Sequence, residues 1–245
     1  MENEITSLFG IARIPNTIRA YNKNKMKENR HYELTDETIE FDGHTLHRIR
    51  CTEDFLNITK GTLGGFVEGY ENLCDEAWVG NEAKVYAGAV VKDRASVQCG
   101  ACVSNCVVIA ERALVEDSAS VYGAVWIGGN AAIYDSAVII QESPWPLIIS
   151  GYAKIGGNAV IKSDYDYIVF KNWWSSGRYF TWTRSNDMWR VGCFYGTGNE
   201  LIARAYKDGE VSGIEYERVV KYVEQIKRDS KPSLWQRVKK MLTGK

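Results

Sequence analysis

Every sixth residue from Val67 to Ile139 is aliphatic, in a series that includes Leu73, Val79, Val85, Val91, Val97, Val103, Ile109 and Val115. If aliphatics filled about a fifth of sites, so long an unbroken series would arise by chance roughly once in 10⁹ trials. Two residues before most of these positions sits an alanine: Ala77, Ala83, Ala89, Ala95, Ala101, Ala113, Ala119, Ala131 and Ala137, with Val107 and Val125 as apolar exceptions. A period of six belongs neither to a helix nor to a simple alternating strand. It fits a short flat strand followed by a tight turn, three of which close one triangular coil of about 18 residues. Such coils stack in parallel at about 4.8 Å, so each backbone group bonds to the coil above or below. The aliphatics point into the prism and the small residues pack near its corners. Val97 and Ile109 are therefore expected in the core, and Lys92 on the surface. Val67–Ile139 spans about four coils. The register breaks around Gln141–Gly151, at a Pro-Trp-Pro loop, then resumes with Ile149, Ile155 and Ile161 for about one coil more.

The flanks organise the rest of the chain. Residues 1–30 read as an N-terminal arm and 31–60 as a hairpin cap, where Asp42-Gly43 favours a type I′ turn between two strands. A cap is needed because an open β-helix end exposes unpaired strand edges. The β-helix is assigned to 61–163. Within 164–230, Tyr167–Trp174, Arg178–Arg184 and Met188–Tyr195 alternate as a three-stranded antiparallel meander. Two helices follow, one marked by Leu201, Ile202, Ala205 and Tyr206. Tyr216, Val219, Val220, Val223 and Ile226 mark the second, longer one. Residues 231–245 read as a basic amphipathic tail.

Charge is segregated along the chain. The whole carries −1, yet residues 227–245 carry +6 and residues 1–30 carry +3, leaving 31–226 at −10. An acidic body repels phosphates, which excludes extended nucleic-acid binding along the β-helix. No run approaches the roughly 18 apolar residues of a membrane span. The start, Met-Glu-Asn-Glu-Ile, lacks the pattern of a signal peptide, so a cytoplasmic location without disulfides is expected.

Ile127-Gly-Gly-Asn-Ala-Ala and Ile155-Gly-Gly-Asn-Ala-Val resemble the hexapeptide-repeat, left-handed β-helix superfamily. Left-handedness is what that resemblance implies. Three flanking segments, His31-Tyr-Glu-Leu-Thr-Asp-Glu-Thr, Thr45-Leu-His-Arg-Ile-Arg and Gly61-Thr-Leu-Gly-Gly-Phe-Val-Glu, are similar to phage- and prophage-encoded β-helix proteins of unassigned function. The similarity extends over residues 26–226. It implies a host-cell cytoplasmic setting and association as a trimer through flat β-helix faces, those carrying Trp78 or Trp126.

Acyl transfer is the best-known chemistry of that superfamily, and its usual general base is a His on or beside the coils. Here the three His residues, His31, His44 and His47, all precede the coils. Glu142, on the loop that breaks the register, is a conceivable substitute, but an exposed loop Glu is ordinarily just solvated. His44 and His47 are three apart on one strand, hence on opposite faces, and read as cap residues. Cys99, Cys102 and Cys106 form C-x2-C-x3-C without a fourth ligand nearby, so they read as small fillers rather than a zinc site. No catalytic residue, metal or cofactor is expected. The functional expectation is a non-enzymatic protein that binds or sequesters a host ligand or factor, such as a signalling nucleotide in a counter-defence role. The alternatives are a structural scaffold and, behind it, an acyltransferase.

The binding surface is expected on the meander. With Ser175-Ser176-Gly177 as a three-residue loop, Trp174 pairs with Arg178 and Phe170 with Trp182. With Asn186-Asp187 as a two-residue turn, Trp182 faces Val191. One face then holds Phe170, Trp174, Phe180, Trp182, Trp189, Val191 and Cys193 and forms the core. The other holds Lys171, Trp173, Tyr179, Thr181, Thr183, Arg190 and Phe194. Aromatic rings beside Lys and Arg can stack a nucleotide base and neutralise its phosphate, which makes Lys171, Trp173, Tyr179, Thr181, Thr183 and Arg190 the candidate ligand-binding set. The opposing reading is that the following helices or a neighbouring subunit covers this face.

Overall fold

A computed structural model describes residues 31–142 and 144–229. The N-terminal arm and the basic tail expected from the sequence lie outside the described residues. The centre of the molecule is a parallel β-helix of about five coils. Its rungs pair in parallel: Val79, Val97, Val115, Ile133 and Ile155 line up on one face, and Val85, Val103, Val121, Ile139 and Ile161 on the next. Val91, Ile109, Ile127 and Ile149 form the third. All of these point inward and are fully buried, as are the alanines that precede them. Burying each such aliphatic stabilises the fold by about 1.5–3 kcal/mol. Ile127 aligns with Ile149, so the Gln141–Pro146 loop is an insertion outside the prism that leaves the inward phase intact.

Lys92 departs from expectation. It faces outward, yet only 9% of it is exposed. Its long aliphatic stem can cover the sheet surface while the ammonium reaches water.

The corners have a chemistry of their own. Asp75, Asn81, Ala87, Asp93, Cys99, Asn105, Glu111 and Asp117, each two residues after an inward aliphatic, have φ between 51° and 62°. Asp and Asn tolerate this left-handed conformation because their side chains bond locally to backbone. Here they bond one coil on instead. Asp93 Oδ2 accepts from the Glu111 amide at 2.9 Å, Asp117 Oδ2 from the Asp135 amide at 3.0 Å, and Asp135 Oδ2 from the Gly157 amide at 2.7 Å.

The two ends of the prism are capped by different elements. Along the coils the amides point both ways: Lys84 donates onward to the Ala101 carbonyl at 2.9 Å, and Cys106 donates back to the Ala87 carbonyl at 3.3 Å. At the N-terminal end a donor meets carbonyls of the first coil. Strand β1 (Tyr32–Phe41) and strand β2 (His44–Cys51) form the expected hairpin, with Asp42 and Gly43 both left-handed at its turn. From β2, the Arg48 guanidinium donates to the carbonyls of Gly64 and Asn81 at 3.0 and 3.1 Å. It also pairs with Glu37 and Glu82 and lies 4.2 Å from the centroid of the Phe66 ring.

At the other end, acceptors meet three amides of the last coil. Thr181 Oγ1 accepts from Lys154 at 2.9 Å, Ser185 Oγ from Val160 at 2.7 Å, and Asp166 Oδ2 from Lys162 at 2.8 Å. These acceptors come from the meander and its approach.

That meander has four strands, not three: Tyr167–Lys171, Tyr179–Thr183, Met188–Val191 and Phe194–Gly196. Gly192, with φ of 58°, turns the chain between Val191 and Phe194, which pair directly. Cys193 consequently lies exposed in that turn rather than in the core, and Phe194 packs on the core side rather than the opposite one. Phe170 pairs with Phe180, and Trp182 with Trp189. Each hairpin is thus offset by two residues from the expected register. Strand side chains alternate with a period of two, so this slip leaves Phe170, Phe180, Trp182, Trp189 and Val191 on their expected face. Its cause is in the loops. Asn172 Oδ1 accepts from the Trp174 and Ser175 amides at 3.1 and 2.9 Å, holding residues 172–178 in a longer loop in which Gly177 takes the expected left-handed position.

Phe180, Trp182, Trp189 and Val191 form a second core with Leu201, Val220 and Val223. Those last three come from helices α1 (Gly198–Asp208) and α2 (Glu210–Asp229). Thr197 and Glu200 close a capping box at the start of α1.

Candidate functional site

The six candidate residues divide into two groups. Thr181 and Thr183, on the second meander strand, are only 1% and 3% exposed. Thr181 is occupied as the acceptor for Lys154, and Thr183 Oγ1 donates to Asn186 Oδ1 at 2.5 Å. Arg190, on the third strand, is half-buried, its guanidinium 4.6 Å from the ring centroid of Tyr134 on the β-helix and 5.8 Å from that of Tyr195. Neither Arg190 Nε nor the Tyr134 hydroxyl has a hydrogen-bond partner among the described residues, and burial pushes the Tyr134 pKa well above its ordinary value. These three candidates lie where the meander docks on the last coil. The cover is the chain's own β-helix, rather than the following helices or another subunit.

The remaining three stay accessible. Lys171 is exposed, Trp173 is 81% exposed on the Asn172 loop, and Tyr179 is half-buried. Trp173 meets Trp174 edge-to-face at 6.2 Å, which props it outward. Lys171 Nζ sits 5.9 Å from the Tyr179 ring centroid. Tyr152, from the last β-helix coil, stacks on Tyr179 with centroids 4.2 Å apart and planes 11° from parallel. Lys171, Tyr179 and Tyr152 thus make an open ledge of rings and positive charge, with Trp173 exposed on the adjoining loop.

Sequence reasoning missed Tyr152. It sits three residues after an inward aliphatic, in a corner column that also holds Tyr70, Glu76, Glu82, Gly88, Arg94, Gly100, Cys106, Arg112, Ser118, Ala124, Asn130, Ser136 and Asn158. Among these only Tyr70 and Tyr152 are aromatic, and that was the available signal.

The other candidates for chemistry are tied into structure. His31 Nδ1 lies 2.9 Å from Glu53, His44 Nδ1 2.7 Å from Glu68, and His47 Nδ1 3.4 Å from the Thr35 carbonyl. Glu142 is not simply solvated: Lys162 Nζ is 2.6 Å from its carboxylate. Cys99 sits at a corner, Cys102 faces outward beside the Tyr86 hydroxyl, and Cys106 is exposed in a turn. Among the described residues no group of three or more His, Cys, Asp or Glu is placed to hold a metal ion. No helix among them is long and apolar enough to cross a membrane.

Of the two faces named for association, the one with Trp78 is closed at that point. Phe55 packs on the indole edge-to-face at 5.7 Å, leaving Trp78 buried. The face with Val90, Val108, Trp126 and Ile148 keeps Ile148 exposed and Trp126 half-exposed.

Compared with known proteins, the chain matches no family model and no curated sequence. The class that the fold defines is a parallel β-helix protein with a hairpin at its N-terminal end and a meander at its C-terminal end.

Proposed function

We propose that this is a non-enzymatic binding protein, in which the β-helix is a rigid support and the ledge of Lys171, Trp173 and Tyr179 takes a flat, anionic ligand of the nucleotide class. The observation that carries this reading is the exposure of Trp173 beside Lys171 and the Tyr152–Tyr179 stack. An exposed aromatic surface next to a cation suits a base joined to a phosphate, each stacked base being worth about 1–3 kcal/mol. The resemblance of the flanks to phage-encoded β-helix proteins favours a host signalling nucleotide, held out of circulation in the host cytoplasm to counter a defence. Leaving catalysis out is supported by the engagement of all three His residues in the hairpin cap.

Calorimetry with mononucleotides and cyclic nucleotides tests the reading. Binding by the wild type, weakened by Trp173→Ala and by Lys171→Ala, is expected. A wild type that binds none of them contradicts it. Thiol release from acetyl-CoA across a broad acceptor panel should stay at background, and turnover abolished by one point substitution would reinstate an acyltransferase.

A scaffold role is favoured by a separate observation, the outward Val90, Val108, Trp126 and Ile148 on one β-helix face. Self-association there, as a trimer, gives a light-scattering mass about three times 27.7 kDa. A mass of one chain across a range of concentrations contradicts it.

A further inference from the structure

We infer that the last β-helix coil supplies half of the ligand site: Tyr152 is the ring on which the base stacks, and Lys154 joins Lys171 in holding the phosphate. This rests on the reading of the ledge as a nucleotide site. Tyr179 is already engaged, with Tyr152 parallel to it at 4.2 Å and the Lys171 ammonium over its ring. The stack leaves 46% of Tyr152 exposed. A ring held parallel against another is pre-oriented, so a base that stacks on it loses little further freedom in the protein. Lys154 follows two residues later, exposed, on the rung whose amide is fixed by Thr181. Neither Lys154 nor Lys171 has an ion-pair partner among the described residues. Lys154 is two residues from Tyr152 and Lys171 lies beside the Tyr179 ring on which Tyr152 stacks, and rings with two such cations match a base carrying a phosphate better than an uncharged ring.

The arrangement also makes the site composite, because Tyr152 belongs to the β-helix whereas Tyr179 and Lys171 belong to the meander. Ligand should therefore bind only while the meander is docked on the coil.

Calorimetry on the full chain, with adenosine and guanosine nucleotides (cyclic forms included) and the corresponding nucleosides, separates the steps. Tyr152→Ala should weaken nucleotide binding about tenfold, and Tyr152→Phe, which keeps the ring, should bind like wild type. Lys154→Ala, which removes little packing, should weaken nucleotides while leaving nucleosides unchanged. Thermal unfolding of each variant shows whether the meander remains folded, and if Tyr152→Ala does not fold, Lys154→Ala decides. Wild-type nucleotide affinity in a folded Tyr152→Ala or in Lys154→Ala overturns this inference and leaves the Trp173 ledge standing. A wild type that binds no nucleotide overturns both.

Discussion

The β-helix and the meander that closes it are both β-structure, yet they tolerate error very differently. In the prism a residue's place is fixed by its phase in a period of six. Each inward aliphatic stacks on another one coil away, and shifting one rung would drive polar residues into a core with no space for them. In the meander the period is two. Both hairpins adopt pairings two residues away from those expected, yet Phe170, Phe180, Trp182, Trp189 and Val191 still face the helices. Long-period structure ties identity to position, whereas short-period structure ties it only to a face and leaves the pairing to the loops.

The sharpest way to break this contrast is a charge in the prism. Val97→Asp buries a carboxylate without a partner, which costs several kcal/mol and should abolish soluble, folded protein. Arg112→Asp, at an exposed corner, should express and melt like wild type. Equal behaviour of the two would mean that the phase is wrong.

A smaller effect is expected where the two regions meet. Thr181→Val keeps shape but leaves the Lys154 amide without its acceptor, at a cost of about 1–3 kcal/mol measured by denaturant unfolding. A change within error would mean that the meander does not cap the coil through this bond.

The smallest effect concerns the opposite end. The hydrogen bond from His44, helped by the Ala87 amide and opposed by burial, holds Glu68 below its ordinary carboxylate pKa of 4.5. A depressed carboxylate stabilises the fold above that ordinary value, and the contribution is lost as pH falls through the lower folded-state value. Stability of the wild type should therefore drop more steeply below pH 4.5 than that of Glu68→Gln. Parallel pH profiles would show that the pair does not hold the hairpin to the first coil.

These differences explain what could be read from the residues. The inward positions, the alanines, the Asp42-Gly43 turn and an interruption of the register after Gln141 were all legible, because each follows from local pattern or turn chemistry. The hand of the coils came from resemblance alone. The extra meander strand was missed because Val191 and Phe194 continue an alternation that Gly192 interrupts. The covering of Thr181, Thr183 and Arg190 was not legible either. It depends on how two regions meet in space, and nothing in the alternation of a strand says whether its polar face meets water or the end of a β-helix. Lys92 shows the same limit at one residue, since its charge says surface while its stem packs on the sheet.

Amide hydrogen exchange at Lys154, Val160 and Lys162, followed residue by residue, tests most directly that the meander and its approach cap the C-terminal end of the β-helix. If Thr181, Ser185 and Asp166 accept these amides, all three exchange slowly in the wild type, and Thr181→Val speeds Lys154 while Lys162 stays slow. Exchange of all three at the rate of an unprotected loop in the wild type would contradict the account.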